Sequence, residues 1–482
     1  MSSLSRLVPS EAPAPQAAHP TEDTALLGPI SRSFEARLFS AFRSAPILTK
    51  TNIYSFSRPH TALIPAPETE QAVGIEFYAT SGSPCSGRAK SSADDFVVEE
   101  ILADVPITGA GHPDGLPLYR VQKRSIDTLH MAKDLAGELR SNVSYCGMKD
   151  KRAVAVQYVT PTSRRSLRPM RVAKENYTAE LVGYVTGPMS RARIAGNSFT
   201  VKLRDCCPEV GARVEEAMRL SEDRRVPNYY GLQRFGTSGA GTHLIGKAIV
   251  RREFEDAVKL LLGAPAESEA GPAPREEVSS QGHDEGIRFL PAGMDIERLV
   301  AMELVQHPHE WVRALRGVPI KLRRLYVQAY QSYVFNRTLS RAISEGEDIS
   351  KMEPGDNWAE AAPDGLLTSA PRGVRDTPTV RAVPMVQVAG YAFRDYGSRF
   401  DRCLGAVLKS EGVEPGSFFV EEMQEVSAEG GFRRPHLAVR DASWSVEGST
   451  ATIRFTLGKG QYATILVREI LKPSDPIASG LV

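Results

Sequence analysis

Between residues 94 and 161 the chain switches its apolar period repeatedly, and that switching limits the architectures open to it. DDFVVEEIL alternates, and DTLHMAKDLAGELR places Leu129, Ala132, Leu135 and Leu139 at three- and four-residue steps from a helix opening at Thr128. NVSYC and AVAVQYVT then read as short strands. Alternation buries one face of a strand and three-to-four spacing one face of a helix, so the two must share a core. Between the last two strands stands CGMKDKR, which crowds Lys149, Asp150, Lys151 and Arg152 into a tight loop expected at the sheet's edge. Cations that close favour an ionised carboxylate, which could act as base or nucleophile on an anionic substrate. The alternative is a solvated, charge-balanced bend.

At 482 residues the chain exceeds the size of a single core, so two domains plus tails are expected. Lys+Arg number 59 against 58 Asp+Glu, so a nucleic-acid surface has to be a local patch. Cys85, Cys146, Cys206, Cys207 and Cys403 lack CxxC spacing, which implies a reducing compartment and no structural metal. No apolar run is long enough to span a membrane.

Residues 1–72 are rich in Ala, Ser and Pro and read as a disordered leader. Arg32, Arg37, Arg43, Lys50 and Arg58 against the single acid Glu35 suit a mitochondrial transit peptide, while three acids and one Arg in the first 31 residues do not. Mitochondrial placement is therefore the expectation, with cytoplasm or nucleus as the alternative. Order is expected to begin with a strand at VGIEFYAT, and residues 264–287 and 344–374 read as polar loops or insertions. LRRLYVQAYQSYVFNRTLSRAI has helical spacing at Leu325, Ala329, Ser332, Tyr333 and Asn336, with Arg323, Arg324 and Arg337 available to solvent or phosphate. No internal repeat points to a solenoid.

PNYYGLQRFG, residues 227–236, combines aromatics with Asn228, Gln233 and Arg234, which suits stacking on a base and holding its sugar-phosphate, or else a core-plugging turn. GKGQYATILVREIL, residues 458–471, runs from a Gly-bounded loop into an apolar helix in which Arg468 and Glu469 would brace a site or pair on the surface.

Seven blocks in order resemble the TruD-type pseudouridine synthase family: GRAKSSADDFVVEEIL, VQKRSIDTLHMAKDLA, GMKDKRAVAVQ, AGNSF, VPNYYGLQRFG, RRLYVQAYQSYVFN and LGKGQYATILVRE. The resemblance spans about residues 75–472. It implies an isomerase that breaks the bond from the ribose of an RNA uridine to ring nitrogen 1 and remakes it to carbon 5, without cofactor or metal. It also implies an α+β fold: a pseudouridine synthase catalytic domain with a mixed, mainly antiparallel sheet (73–250 and 438–475), and an inserted α/β TruD-specific domain (251–437).

Carried over by motif, Asp150 would be the catalytic carboxylate and Lys90 its basic partner. Asn228 would contact Asp150 or the ribose, and Tyr230 would stack on the flipped base. Gly460 would shape the pocket. Lys149, Lys151 and Arg152 would offer charge to RNA phosphates, and Lys123, Gln233, Arg234 and Arg468 would make RNA or structural contacts. Tyr230 stands where the family usually has Phe, and Arg191 and Ala192 stand where an apolar residue and Gly are common. The implied partner is RNA: tRNA first, with rRNA or mRNA as alternatives, bound by a monomer. A non-catalytic RNA-binding or ribosome-assembly factor with the same fold, and a protein-interaction scaffold, are the competing readings.

Overall fold

The computed structural model describes residues 63–103, 115–236, 241–262, 295–362, 367–369, 371 and 379–482. The transit-peptide reading of residues 1–62 and the polar segment 264–287 lie outside them. In chain order the elements begin with β1 (Ile64–Pro65), α1 (Glu68–Gln71), β2 (Phe77–Tyr78), β3 (Phe96–Leu102), β4 (Leu116–Arg124), α2 (Thr128–Leu139) and β5 (Val143–Tyr145). They continue through β6 (Val154–Pro161), β7 (Arg171–Ala173), β8 (Tyr177–Val185), β9 (Ile194–Leu203), α3 (Val210–Glu222), α4 (Thr242–Val250), α5 (Phe254–Leu262), α6 (Asp295–Gln306), α7 (Trp311–Gly317) and α8 (Ile320–Ser344). The last are β10 (Asn357–Glu360), β11 (Ala382–Val388), α9 (Arg399–Ser410), β12 (Gly431–Arg433), β13 (Val439–Glu447), β14 (Thr450–Gly458) and α10 (Ala463–Leu471).

A nine-stranded sheet runs β13-β14-β9-β3-β6-β4-β8-β7, with β5 also paired to β6. Among the described residues only the β3–β6 pairing of this sheet is parallel, so the protein is α+β with a mainly antiparallel sheet. Although β13 and β14 follow β9 by more than two hundred residues, they close beside it: Gly196 pairs with Gly458. A Cβ on Gly196 would lie 2.2 Å from the carbonyl oxygen of Leu457, so only glycine fits that crossing. Helices α3 and α10 cover this half of the sheet and α2 covers the β4–β6–β8 half, each supplying an apolar face to its own core. A second layer, α4 to α9 with the antiparallel sheet β10–β11–β12, has its own core around α8. Helix α8 also reaches the first core through Ala329, Phe335 and Leu339.

Several local expectations change. The 146–153 loop is not at the sheet's edge, because β6 is interior: β4 flanks one side, and β3 and β5 share the other in tandem. VGIEFYAT forms a strand only at Phe77–Tyr78, since Gly74 at φ +83° turns the chain while Val73 and Ile75 enter the core. Order starts before residue 72, because Glu70 is buried as an ionic partner. Segment 344–374 includes β10, whose Asn357, Trp358 and Ala359 are buried. Arg323 is buried against Glu425, and Arg337 pairs with Glu76 at 2.9 Å. Cys85 and Cys207 form a disulfide with Cα atoms 5.4 Å apart, which corrects the expectation of reduced thiols throughout. The longest helices carry polar residues at intervals, and among the described residues none is long and apolar enough to cross a membrane.

Candidate active site

The loop bearing Asp150 is held from below. Thr128, at the start of α2, accepts a hydrogen bond from the Lys149 backbone N–H at 2.9 Å. Lys123, on β4, has its side chain buried under the loop, where its ammonium donates to the carbonyls of Ile126, Lys149 and Asp150 at 2.8, 3.3 and 2.8 Å. Three donors meet three acceptors, so this lysine shapes the loop and offers nothing to an RNA surface.

Lys90 sits at φ +53° in the segment before β3. Backbone bonds between Arg88 and Arg204, and from Ala89 N–H to the carbonyl of Ser479, fix that segment. Its ammonium donates to Asp150 Oδ2 at 2.7 Å and to the carbonyl of Val482 at 3.1 Å. The Lys90 side chain is 3% exposed and that of Asp150 is 38% exposed, so the carboxylate opens to solvent over a buried cation. Asp150 Oδ1 accepts the Arg152 backbone N–H at 2.9 Å. Burial raises the Asp150 pKa, but the charge and hydrogen bond of Lys90, the Arg152 N–H and the charge of Lys123 outweigh it and leave the carboxyl below its ordinary value. The cations responsible are thus distant in sequence. Lys151 and Arg152, the chain neighbours expected to do this, have exposed side chains. Lys149 is engaged below, its ammonium 2.9 Å from buried Glu100 and donating to Asn197 Oδ1 at 2.8 Å.

Asp150 opens on a cavity of about 190 Å³ lined by Lys90, Phe96, Val98, Met148, Lys149, Asn197, Phe199, Gln233, Gln461, Tyr462, Ala463 and Thr464. The GMKD and GKGQYAT loops therefore meet across one hollow, with alternate residues Phe96 and Val98 of β3 as its apolar floor. It is smaller than a typical drug-sized site and suits one flat ring.

The NYYG block is placed differently from expectation. Asn228 is buried and already bonded: its Nδ2 donates to the Arg434 carbonyl at 2.9 Å and its Oδ1 accepts from Arg433 at 2.8 Å. It does not reach Asp150. Tyr230 is half-buried and outside the cavity lining, with its ring 6.1 Å from that of Tyr462, which does line the cavity. Arg234 bonds to Ser332 and Gln328 on α8, and Gln233 reaches Thr464 Oγ1 at 3.4 Å. Gly460, at φ +74°, presents its carbonyl to Arg433 and is not itself in the lining. Arg468 is 1% exposed and bound to Glu70 and Glu469, both buried, so its roles as an RNA contact and as a surface pair are corrected.

Glu100, Asn197, Tyr462 and Arg433 were not singled out by the sequence. Alternation places Glu100 on the same strand face as Phe96 and Val98, and the AGNSF block carries Asn197. Arg433 gives no local signal, because its partners lie up to 205 residues away. Among the described residues no group of three His, Cys, Asp or Glu could hold a metal ion.

Residues 72–470 match the family described as tRNA pseudouridine synthase D (TruD). A probable tRNA pseudouridine synthase D of Pyrobaculum arsenaticum is 33% identical over 428 residues, which cover 86% of this chain and 99% of that protein. One from Methanosarcina acetivorans is 29% identical over 441 residues, 85% of this chain and 98% of the relative. The crystal structure of a putative TruD from Methanosarcina mazei is similar with a TM-score of 0.68 at 26% identity, covering 85% of this chain and 99% of that one.

Proposed function

The chain belongs to the tRNA pseudouridine synthase D (TruD) family, and on that premise we propose that it converts uridine to pseudouridine in tRNA with Asp150 as the catalytic carboxylate. The observation carrying this reading is the Asp150–Lys90 pair at 2.7 Å, which keeps an ionised carboxylate open on a single-ring cavity.

A base inside that cavity has to leave the RNA stack, and the ring of Tyr462 offers it a face while Tyr230 braces Tyr462 from behind. Asp150 then acts at the anomeric carbon as nucleophile, or removes a proton from the 2′ carbon. In either route the bond from C1′ to N1 breaks with its electron pair on the uracil. The released ring turns and C5 bonds to C1′, which expels the Asp150 carboxylate in the first route and takes the proton back at the 2′ carbon in the second; C5 then loses its proton and N1 gains one. Lys149, Asn197, Gln461 and Thr464 line the hollow with donors and acceptors for the polar edge of a turning ring.

The deciding experiment is a transcriptome-wide pseudouridine map of cells carrying wild-type protein or only Asp150→Asn. Sites that vanish in the variant identify the RNA, and rRNA or mRNA sites among them would widen the substrate beyond tRNA. An unchanged map with the variant folded and expressed would sink the catalytic reading and favour a ribosome-assembly role. Mitochondrial targeting is a separate proposal resting on the basic leader. The archaeal relatives lend it no support, and diffuse signal from a fluorescent fusion of residues 1–72 would remove it.

A further inference from the structure

Arg433 lies at the end of β12, outside the lining of the Asp150 cavity, and is 8% exposed. Its Nε donates to the Asn228 carbonyl at 3.0 Å, and one terminal nitrogen donates to Asn228 Oδ1 at 2.8 Å and to the Tyr229 carbonyl at 3.2 Å. The other donates to the Gly460 carbonyl. The guanidinium carbon also sits 4.0 Å from the centre of the Tyr230 ring and 5.8 Å from that of Tyr462. One planar group therefore touches the NYYG block, the GKGQY loop and both rings. All of its acceptors are backbone carbonyls or an amide oxygen, and among the described residues no carboxylate accepts from the guanidinium, so a buried ion pair does not account for its place. Burying a guanidinium against neutral carbonyls and ring faces is costly, which makes a purely stabilising role a poor explanation.

We propose that Arg433 is the positioning residue of the base pocket: its fork ties Asn228 to Gly460 and thereby sets the Tyr462 ring at the distance from Asp150 that the isomerisation requires. This inference rests on the proposed pseudouridine synthase activity. Only a group with several fixed donors spans these acceptors at once, so lysine is no substitute. Misplacing a reacting group by about an ångström costs on the order of 100-fold in rate, while RNA affinity, carried mainly by phosphate contacts, stays within about threefold.

The test compares wild type with Arg433→Lys, Arg433→Gln and Asp150→Asn on the RNA identified by the map. It reads single-turnover rate at saturating RNA, Kd, and amide hydrogen exchange at Gly460 to Tyr462. Both Arg433 variants are expected to lose on the order of 100-fold in rate with Kd nearly unchanged, and to exchange faster at Gly460 to Tyr462. Folded variants with wild-type rate and exchange would overturn the inference. If neither folds, Asn228→Ala decides: it removes the side-chain acceptor of the Arg433 fork, and under this inference it accelerates exchange at Gly460, whose carbonyl the same fork holds. Unchanged exchange there would overturn the coupling. An active Asp150→Asn would instead remove the functional reading on which the inference stands.

Discussion

Replacing Lys123 by Met should leave a pH signature of definite sign and size. The side chain is fully buried, and burial pulls its pKa from 10.5 down to about 8, against the charges of Asp150 and Asp127, which pull it up, with Lys149 pushing it further down. At about 1.4 kcal/mol per factor of ten, keeping the ammonium protonated in the folded state costs about 3 kcal/mol. The folded-state pKa lies below the unfolded one, so between them the unfolded chain holds more protons and stability rises with pH. This contribution is absent below about pH 8 and complete near about pH 10.5, and between about pH 7.5 and about pH 9.5 it amounts to about 2 kcal/mol. Urea unfolding of wild type and Lys123→Met across that window isolates it, because other titrating groups cancel in the difference. Wild type should gain about 2 kcal/mol on the variant as pH rises. A flat or falling difference would refute the claim that an ammonium is buried under the Asp150 loop.

Other outcomes follow from the same contacts. Lys90→Met removes the main cation holding the Asp150 carboxyl down, so the acid limb of the rate profile should move to higher pH; an unmoved limb would detach Lys90 from Asp150. Arg468→Met leaves Glu70 and Glu469 buried without their cation, which should destabilise the protein by about 3–5 kcal/mol, read as a fall in melting temperature; an unchanged Tm would contradict the burial. Thiol titration of the unfolded, unreduced protein should find Cys146, Cys206 and Cys403 reactive, with Cys85 and Cys207 appearing only after reduction. Five reactive thiols without reductant would disprove the disulfide.

Elements written in local spacing were legible in the chain. The helix from Thr128, the strands around FVVEEIL and AVAVQYVT, and the helix after GKGQY appear where the periods put them, because each needs only neighbours two to four residues apart. The charged turn at Asp150 was also visible, and the ordered blocks were enough to suggest the family. The electrostatics of that turn were not. Its cations come from Lys90 and Lys123, which strand pairing carries under the loop, while the chain neighbours Lys151 and Arg152 face solvent. Composition makes Arg433 and Arg468 look alike as surface cations. Only the closure of β13 and β14 onto β9, and of α10 onto residues 70 to 80, buries them and chooses their partners. Periodicity decides which face of an element is apolar, but which distant polar group meets it is settled by packing alone, since a buried donor has to find an acceptor wherever the fold puts one.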